Sequence, residues 1–113
     1  MELSEAIAGY RVVGLDTNIF IYGYQEHPQF LPVVRPIFER LDTDREFHVV
    51  TSIVTLIEVT VHPLRFKQHD LLTRYTNALL YSPKITTYPV DVAIARKAAE
   101  LRARVGGKTT VLE

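Results

Sequence analysis

The most informative stretch of this sequence is Val12-Val13-Gly14-Leu15-Asp16-Thr17-Asn18. Its opening run is apolar at successive positions, which is typical of a strand buried on both faces in the middle of a sheet. Ligands of open α/β sheets bind at the carboxyl ends of the strands, so Asp16 stands where a functional carboxylate is expected. A loop aspartate that only caps nearby amides is the competing interpretation, and position alone does not separate the two.

The rest of the chain alternates between strand and helix patterns. A loop with Gly23 and Pro28 is predicted after the first strand, and Pro63 is predicted to end the helix that Ser52 caps. The patterns predict strands at 12–15, 47–51 and 85–88, and helices at 29–41, 53–62, 67–81 and from Asp91 to a C-cap at Gly106-Gly107. This order indicates an α/β fold, with a parallel sheet flanked by helices.

Length and composition narrow the class of protein. The chain has 113 residues, which suits a single domain, and 47% of them are hydrophobic, which is enough for a core. There is no cysteine, so a disulfide framework, a thiol nucleophile and a cysteine-based zinc site are excluded. The formal net charge of zero counts against a dedicated duplex-binding domain, which is usually basic. No apolar stretch is long enough for a signal peptide or a membrane span, so we expect a cytoplasmic protein with no membrane partner.

Glu58 is the second candidate for a functional carboxylate. It lies within Thr55-Leu56-Ile57-Glu58-Val59-Thr60-Val61, where its neighbours are apolar or β-branched rather than charged. An exposed glutamate on the polar stripe of a helix is the ordinary alternative. Carboxylates from two adjacent strand–helix units can converge on one hard cation, and Mg²⁺ needs few of them because it keeps several waters. Asp16 and Glu58 are therefore candidate metal ligands.

Three segments of the chain resemble the PIN domain family. The first segment, which resembles the family's opening motif, is Val13-Gly14-Leu15-Asp16-Thr17-Asn18-Ile19-Phe20-Ile21-Tyr22. The second segment, which resembles the family's second motif, is Thr51-Ser52-Ile53-Val54-Thr55-Leu56-Ile57-Glu58-Val59. The stretch before the family's third acidic motif is similar to Ala98-Ala99-Glu100-Leu101-Arg102-Ala103-Arg104. The resemblance runs from Val12 to Lys108, and the ordered set is more specific than any one motif.

The resemblance implies a Rossmann-like PIN fold and a metal-dependent endoribonuclease similar to VapC toxins of toxin–antitoxin pairs. It places the family's first acid at Asp16, the second at Glu58, and the polar residue beside the metal at Asn18 or, less firmly, Thr17. Mg²⁺ or Mn²⁺, an RNA substrate, a cognate antitoxin protein and a homo-oligomer are the cofactor and partners that follow from it.

The sequence also departs from the family pattern. Where PIN domains usually carry a third acid in a Thr-Pro-Asp-Ala context, Lys108-Thr109-Thr110-Val111 stands here, and the family's fourth acidic position is absent because the chain ends. We therefore expect one incomplete PIN-like domain over residues 1–113, truncated so that it lacks its last helix and strands. We also expect weak or absent nuclease activity. The alternative is a non-catalytic remnant that binds an antitoxin or associates with itself, for instance through an open sheet edge.

Other patterns are weaker. Gly107-Lys108-Thr109 follows a helix rather than a strand and lacks the upstream glycine of a P-loop. Asn18 cannot serve as the general acid that haloacid-dehalogenase-type phosphatases place two residues after the first aspartate. Asp91 is a better N-cap than a further metal ligand. Aromatic residues that could stack on RNA bases or lie in the core follow the first motif: Phe20, Tyr22 and Tyr24.

Overall fold

The computed structural model describes residues 3–104 and 111–112 of the chain. The helices are α1 (Leu3–Ile7), α2 (Thr17–Tyr24), α3 (Leu31–Thr43), α4 (Ile53–Arg65), α5 (His69–Thr76) and α6 (Val92–Arg104). A π-helical segment, Asn77–Tyr81, continues α5 directly. The strands are β1 (Val12–Leu15), β2 (His48–Ser52), β3 (Ile85–Tyr88) and β4 (Val111–Leu112). Strands and helices alternate, so the predicted α/β class is confirmed.

The strands form one parallel sheet in the order β3-β2-β1-β4. Val13 pairs with Val49, and Val49 pairs with Ile85. β4 pairs with Gly14 and Leu15 of β1, and this fourth strand was not predicted from the sequence. Because β1 and β2 are parallel neighbours, the segments that follow them meet at one edge of the sheet, where ligands of such folds bind.

One face of the sheet supplies the centre of the core. Val13, Leu15 and Val49 are buried on this face, whereas Val12 and Tyr88, which alternate with them, are more than half exposed. The helices cover the buried face with apolar side chains, which are Ile19, Phe20, Val34, Ile37, Val59, Tyr75 and Leu79. This packing holds the start of α2 and the start of α4 against the carboxyl ends of β1 and β2.

The aromatic residues after β1 belong mainly to this core. Phe20 is fully buried, and Tyr24 packs edge to face against Phe38 and Tyr75. Tyr22 lies against Phe30, with ring centroids 4.7 Å apart. The core interpretation of these rings is therefore favoured over base stacking.

The loop predicted after β1 is correct at Pro28, which lies in the connection over residues 25–30, but wrong at Gly23, because α2 begins at Thr17 and runs to Tyr24. Gly23 was interpreted as a loop residue but lies inside α2. A Cβ on Gly23 would come 2.2 Å from the Phe38 ring, so glycine is needed there for α2 and α3 to pack closely. The glycine therefore signals a close helix contact rather than a turn.

The predicted end of α4 is also wrong, since the helix continues through Pro63 to Arg65. A proline near the end of a helix removes only one backbone hydrogen bond, and the buried Pro63 ring packs in the core. The helix predicted over 67–81 starts at His69 and changes to π-helical geometry at Asn77. The predicted cap at Gly106-Gly107 lies outside the described residues.

Arg40 fastens α1, which was not predicted, to the rest of the domain. Its guanidinium donates to the carbonyl oxygens of Ile7 at 2.6 Å and Tyr10 at 2.7 Å. It also pairs with Asp44 and lies over the Phe47 ring, 4.2 Å from the centroid. Because the Arg40 guanidinium has these hydrogen bonds, this ion pair and this aromatic contact, it can lie partly buried under the amino-terminal segment. Within residues 3–104 and 111–112, no helix combines the length and apolarity that crossing a membrane requires.

Candidate active site

Asp16 lies at the end of β1 and is the N-cap of α2. Its backbone is extended, and its Oδ1 accepts a hydrogen bond from the Thr17 amide at 2.8 Å. Such a bond satisfies one of the free amides at the start of the helix. Asp16 therefore caps α2, and this bond fixes a half-buried carboxylate at the carboxyl edge of the sheet, where its functional role stays a prediction.

Glu58 reaches the same place from the second turn of α4. Its side chain is exposed, and its Oε1 accepts a hydrogen bond from the Thr17 hydroxyl at 3.1 Å. From the sequence alone, Glu58 could lie on a solvated stripe or point at a specific partner. The structure shows both features, because Glu58 is exposed to solvent and also bonds to Thr17, the residue that follows Asp16.

Thr17 therefore contacts both candidate acids. Its amide binds Asp16, its hydroxyl binds Glu58, and its side chain is only 7% exposed. The resemblance ranked Thr17 behind Asn18 as the polar residue of the site. Asn18 lies exposed in the first turn of α2.

Thr55 is a residue of this site that the sequence analysis missed. It is 3% exposed, and its Oγ1 lies 3.3 Å from the Thr17 Oγ1. Residues three apart on a helix share a face, so the spacing of Thr55 and Glu58 was the available signal. The partner, Thr17, is 38 residues away along the chain and is identified only by the fold.

Thr51 links the ends of the two strands beneath the candidate acids. Its buried hydroxyl donates to the Leu15 carbonyl oxygen at 2.9 Å, which ties the end of β1 to the end of β2. The two carboxylates thus project from a framework whose buried polar groups are paired.

The donor set at this edge fits a hard cation that keeps most of its water. Asp16 and Glu58 supply carboxylate oxygens, which Mg²⁺ and Mn²⁺ prefer, and Glu58 is accessible from solvent. In the part of the chain that the structure describes, no group of three or more His, Asp or Glu side chains is gathered to hold a metal ion. Asp91, the further acid considered, caps α6 by accepting from the Ile94 amide at 2.8 Å.

A surface groove of about 740 Å³ lies at the other end of α2, away from these acids. Its lining includes Gln25, Lys67 and Arg74 but neither Asp16 nor Glu58. The candidate site lies instead at the carboxyl edge of the sheet, where Glu58 is exposed to solvent.

A family model described as "PIN domain" matches residues 13–111. The match covers most of the chain, so the chain belongs to the PIN domain family. Searches among curated proteins and among solved structures gave no match. Membership defines a nuclease-type domain: PIN nucleases act on RNA or DNA and are generally dependent on divalent metal ions.

Proposed function

We propose that this chain is a metal-dependent endoribonuclease of the VapC toxin type. The observation that supports the proposal most directly is the joint attachment of Asp16 and Glu58 to Thr17. Two carboxylates from adjacent parallel strand–helix units are thereby held together at the ligand-binding edge of the sheet.

Asp16 and Glu58 are the residues that would hold the ion. Thr17 donates to Oδ1 of Asp16 through its amide and to Oε1 of Glu58 through its hydroxyl, which orients both carboxylates and leaves each with further lone pairs for a cation. Mg²⁺ or Mn²⁺, when bound, would supply an activated water and neutralise charge on the phosphodiester. The chain itself contributes by holding the two acids on rigid elements. Folding has then already supplied the entropy cost of orienting their side chains.

We expect the activity to be weak. Two carboxylates provide a smaller negative field than a larger acidic cluster would, and each anion contributes to holding the cation. Among the described residues, no third acid joins Asp16 and Glu58. Metal affinity, rather than folding of the site, is therefore the expected limit on the rate.

A cleavage assay tests the nuclease proposal. Matched fluorophore-quenched RNA and DNA oligonucleotides would be incubated with Mn²⁺ or Mg²⁺, and with EDTA. We expect slow cleavage of the RNA that EDTA abolishes and that Asp16→Asn slows by about tenfold or more. Asparagine is also a good N-cap, so this variant should keep α2 folded. Asp70→Asn, in the first turn of α5, is the matched control and should cleave like the wild type.

Two results would contradict the nuclease proposal. Cleavage that survives EDTA, or that Asp16→Asn leaves at the wild-type rate, would come from elsewhere. An intact oligonucleotide in every reaction would leave the chain with a binding role only.

An antitoxin and a second copy of the chain are the partners that this proposal includes. Support for a helical contact comes from large apolar side chains on α4 that lie opposite its buried face. Their exposed fractions are 44% for Val54, 60% for Ile57, 43% for Val61 and 61% for Leu64. The alternating three- and four-residue spacing is that of a helix-packing seam. In an antiparallel pair of α4 helices, Val54 would face Leu64 and Ile57 would face Val61, so the seam is self-complementary.

A further inference from the structure

We propose that Thr55 is a positioning residue of this site. It acts through Thr17 to fix the Glu58 carboxylate for metal binding, and the proposal rests on the metal-dependent function above. The three side chains form a chain of contacts from the interior to the surface. The oxygen–oxygen distances are 3.3 Å between Thr55 and Thr17 and 3.1 Å between Thr17 and Glu58.

The direction of these bonds follows from counting protons. Each threonine hydroxyl has one proton to donate, and an ionised carboxylate only accepts. The Thr17 proton is best placed on Glu58, because a hydrogen bond to a charged oxygen is stronger than one to a neutral hydroxyl. The contact between Thr17 and Thr55 must then use the Thr55 proton, so the order is Thr55 to Thr17 to Glu58.

The burial of Thr55 favours formation of this hydrogen bond. A hydroxyl at 3% exposure that lacked a partner would be costly. Helical threonines often satisfy the hydroxyl on a carbonyl one turn back, as Thr60 does with Leu56 and Thr76 with Leu72. The partner of Thr55 is instead Thr17, across the contact between α4 and α2.

The consequence is an oriented Glu58. An exposed glutamate samples many rotamers, and binding a cation would otherwise have to restrict them. A donor fixed on Oε1 restricts them in advance, and a second donor holds the first. Partners that orient metal ligands in this way typically change metal affinity by 10–100-fold when they are removed.

The test is Mn²⁺ affinity of the full chain without RNA, measured by titration calorimetry. Thr55→Val keeps the shape of the side chain and removes the hydroxyl, and we expect roughly tenfold weaker binding. Thr55→Ser keeps the hydroxyl and should bind like the wild type. Thr60→Val is the matched control, because the Thr60 hydroxyl bonds within α4, and it should leave Mn²⁺ affinity unchanged.

Further variants separate the effect of the Thr55 hydroxyl on metal affinity from its effect on folding. Thermal unfolding without metal reports whether each variant folds. If Thr55→Val does not fold, Thr55→Ala and Thr55→Ser differ only by the hydroxyl and repeat the comparison. Thr17→Val should weaken Mn²⁺ binding as well, and adding Thr55→Val to it should cost nothing more, because both act through one bond to Glu58.

The outcomes distinguish this proposal from the nuclease proposal. Wild-type affinity in folded Thr55→Val, together with lost affinity in Glu58→Gln, would overturn the role of Thr55 and leave the metal site intact. Equal losses in Thr55→Ser and Thr55→Val would overturn it too, since the hydroxyl would not matter. A wild-type chain that binds no Mn²⁺ would overturn both proposals.

Discussion

Thr17 contributes two different groups to the site. Its backbone amide holds Asp16, and its side-chain hydroxyl holds Glu58. Thr17 can do both because the amide at the first position of α2 is free and its hydroxyl reaches Glu58 on α4. The position of the Asp16 carboxylate therefore depends on its hydrogen bond to Thr17 at the start of α2.

Asp44 is a second residue whose charge is tied to backbone structure. Its pKa is held below the ordinary aspartate value, first by a hydrogen bond from the Glu46 amide and then by one from the Arg40 side chain. A depressed pKa in the folded state means that the ionised carboxylate stabilises the fold above the unfolded-state pKa. That contribution is lost as the pH falls through the lower, folded-state pKa.

We therefore predict that Asp44→Asn lowers the free energy of unfolding at pH 7 and that the difference from the wild type shrinks as the pH falls below about 4. Urea unfolding of both proteins in the same buffers at pH 7, 4 and 3 measures it. A difference that is the same at pH 7 and pH 3 would show that the Asp44 charge does not stabilise the fold.

The sequence indicated part of the candidate site. Asp16 and Glu58 were identified because an acid after a buried strand and an acid among apolar neighbours are both unusual. Their assignment as catalytic residues and metal ligands stays a prediction, as does the role of Asn18. Thr55 was missed because its spacing from Glu58 shows only a shared helix face, and its partner Thr17 is identified only by the fold.

Local signals predicted some elements better than others. β1 and β3 match the predicted ranges because a short apolar or β-branched run bounded by polar residues leaves little freedom. The loop around Gly23 and the break at Pro63 failed because tertiary packing overrode the local preference of each residue. α1 is too short to have a helical periodicity and depends on Arg40 for its position.

The exposed seam of α4 leads to a prediction about this element. If α4 pairs with α4 of a second copy, Ile57→Glu places a charge at the centre of the seam and should convert dimer to monomer. Sedimentation velocity on the wild type and variant at equal concentration measures the change. Val33→Glu on α3, where Val33 is 55% exposed, is the control and should stay dimeric. A wild type that is already monomeric, or an Ile57→Glu variant that remains dimeric, would contradict the pairing.

For the whole molecule, the parallel order of the sheet explains why distant residues meet. Asp16 and Glu58 are separated in the chain by α2, α3 and β2, yet β1 and β2 are neighbours and end at the same edge. β4, on the other side of β1, places this strand inside the sheet rather than at its edge. The first strand therefore presents Asp16 from the middle of the fold, where both flanking strands limit its movement.

The central claim is that Asp16 and Glu58 together hold the metal ion that supports RNA cleavage. A double-mutant comparison of Mn²⁺-dependent RNA cleavage tests this claim most directly. Initial rates would be measured for the wild type, Asp16→Asn, Glu58→Gln and the double variant, with Glu39→Gln on α3 as the exposed control. We predict that each site variant is slower by about tenfold or more, since even indirect ligand changes cost that much. The double variant should be no slower than the worse single one, because residues that act as a unit are not additive. Multiplied losses, or a Glu58→Gln variant that cleaves like the wild type, would contradict a shared metal site.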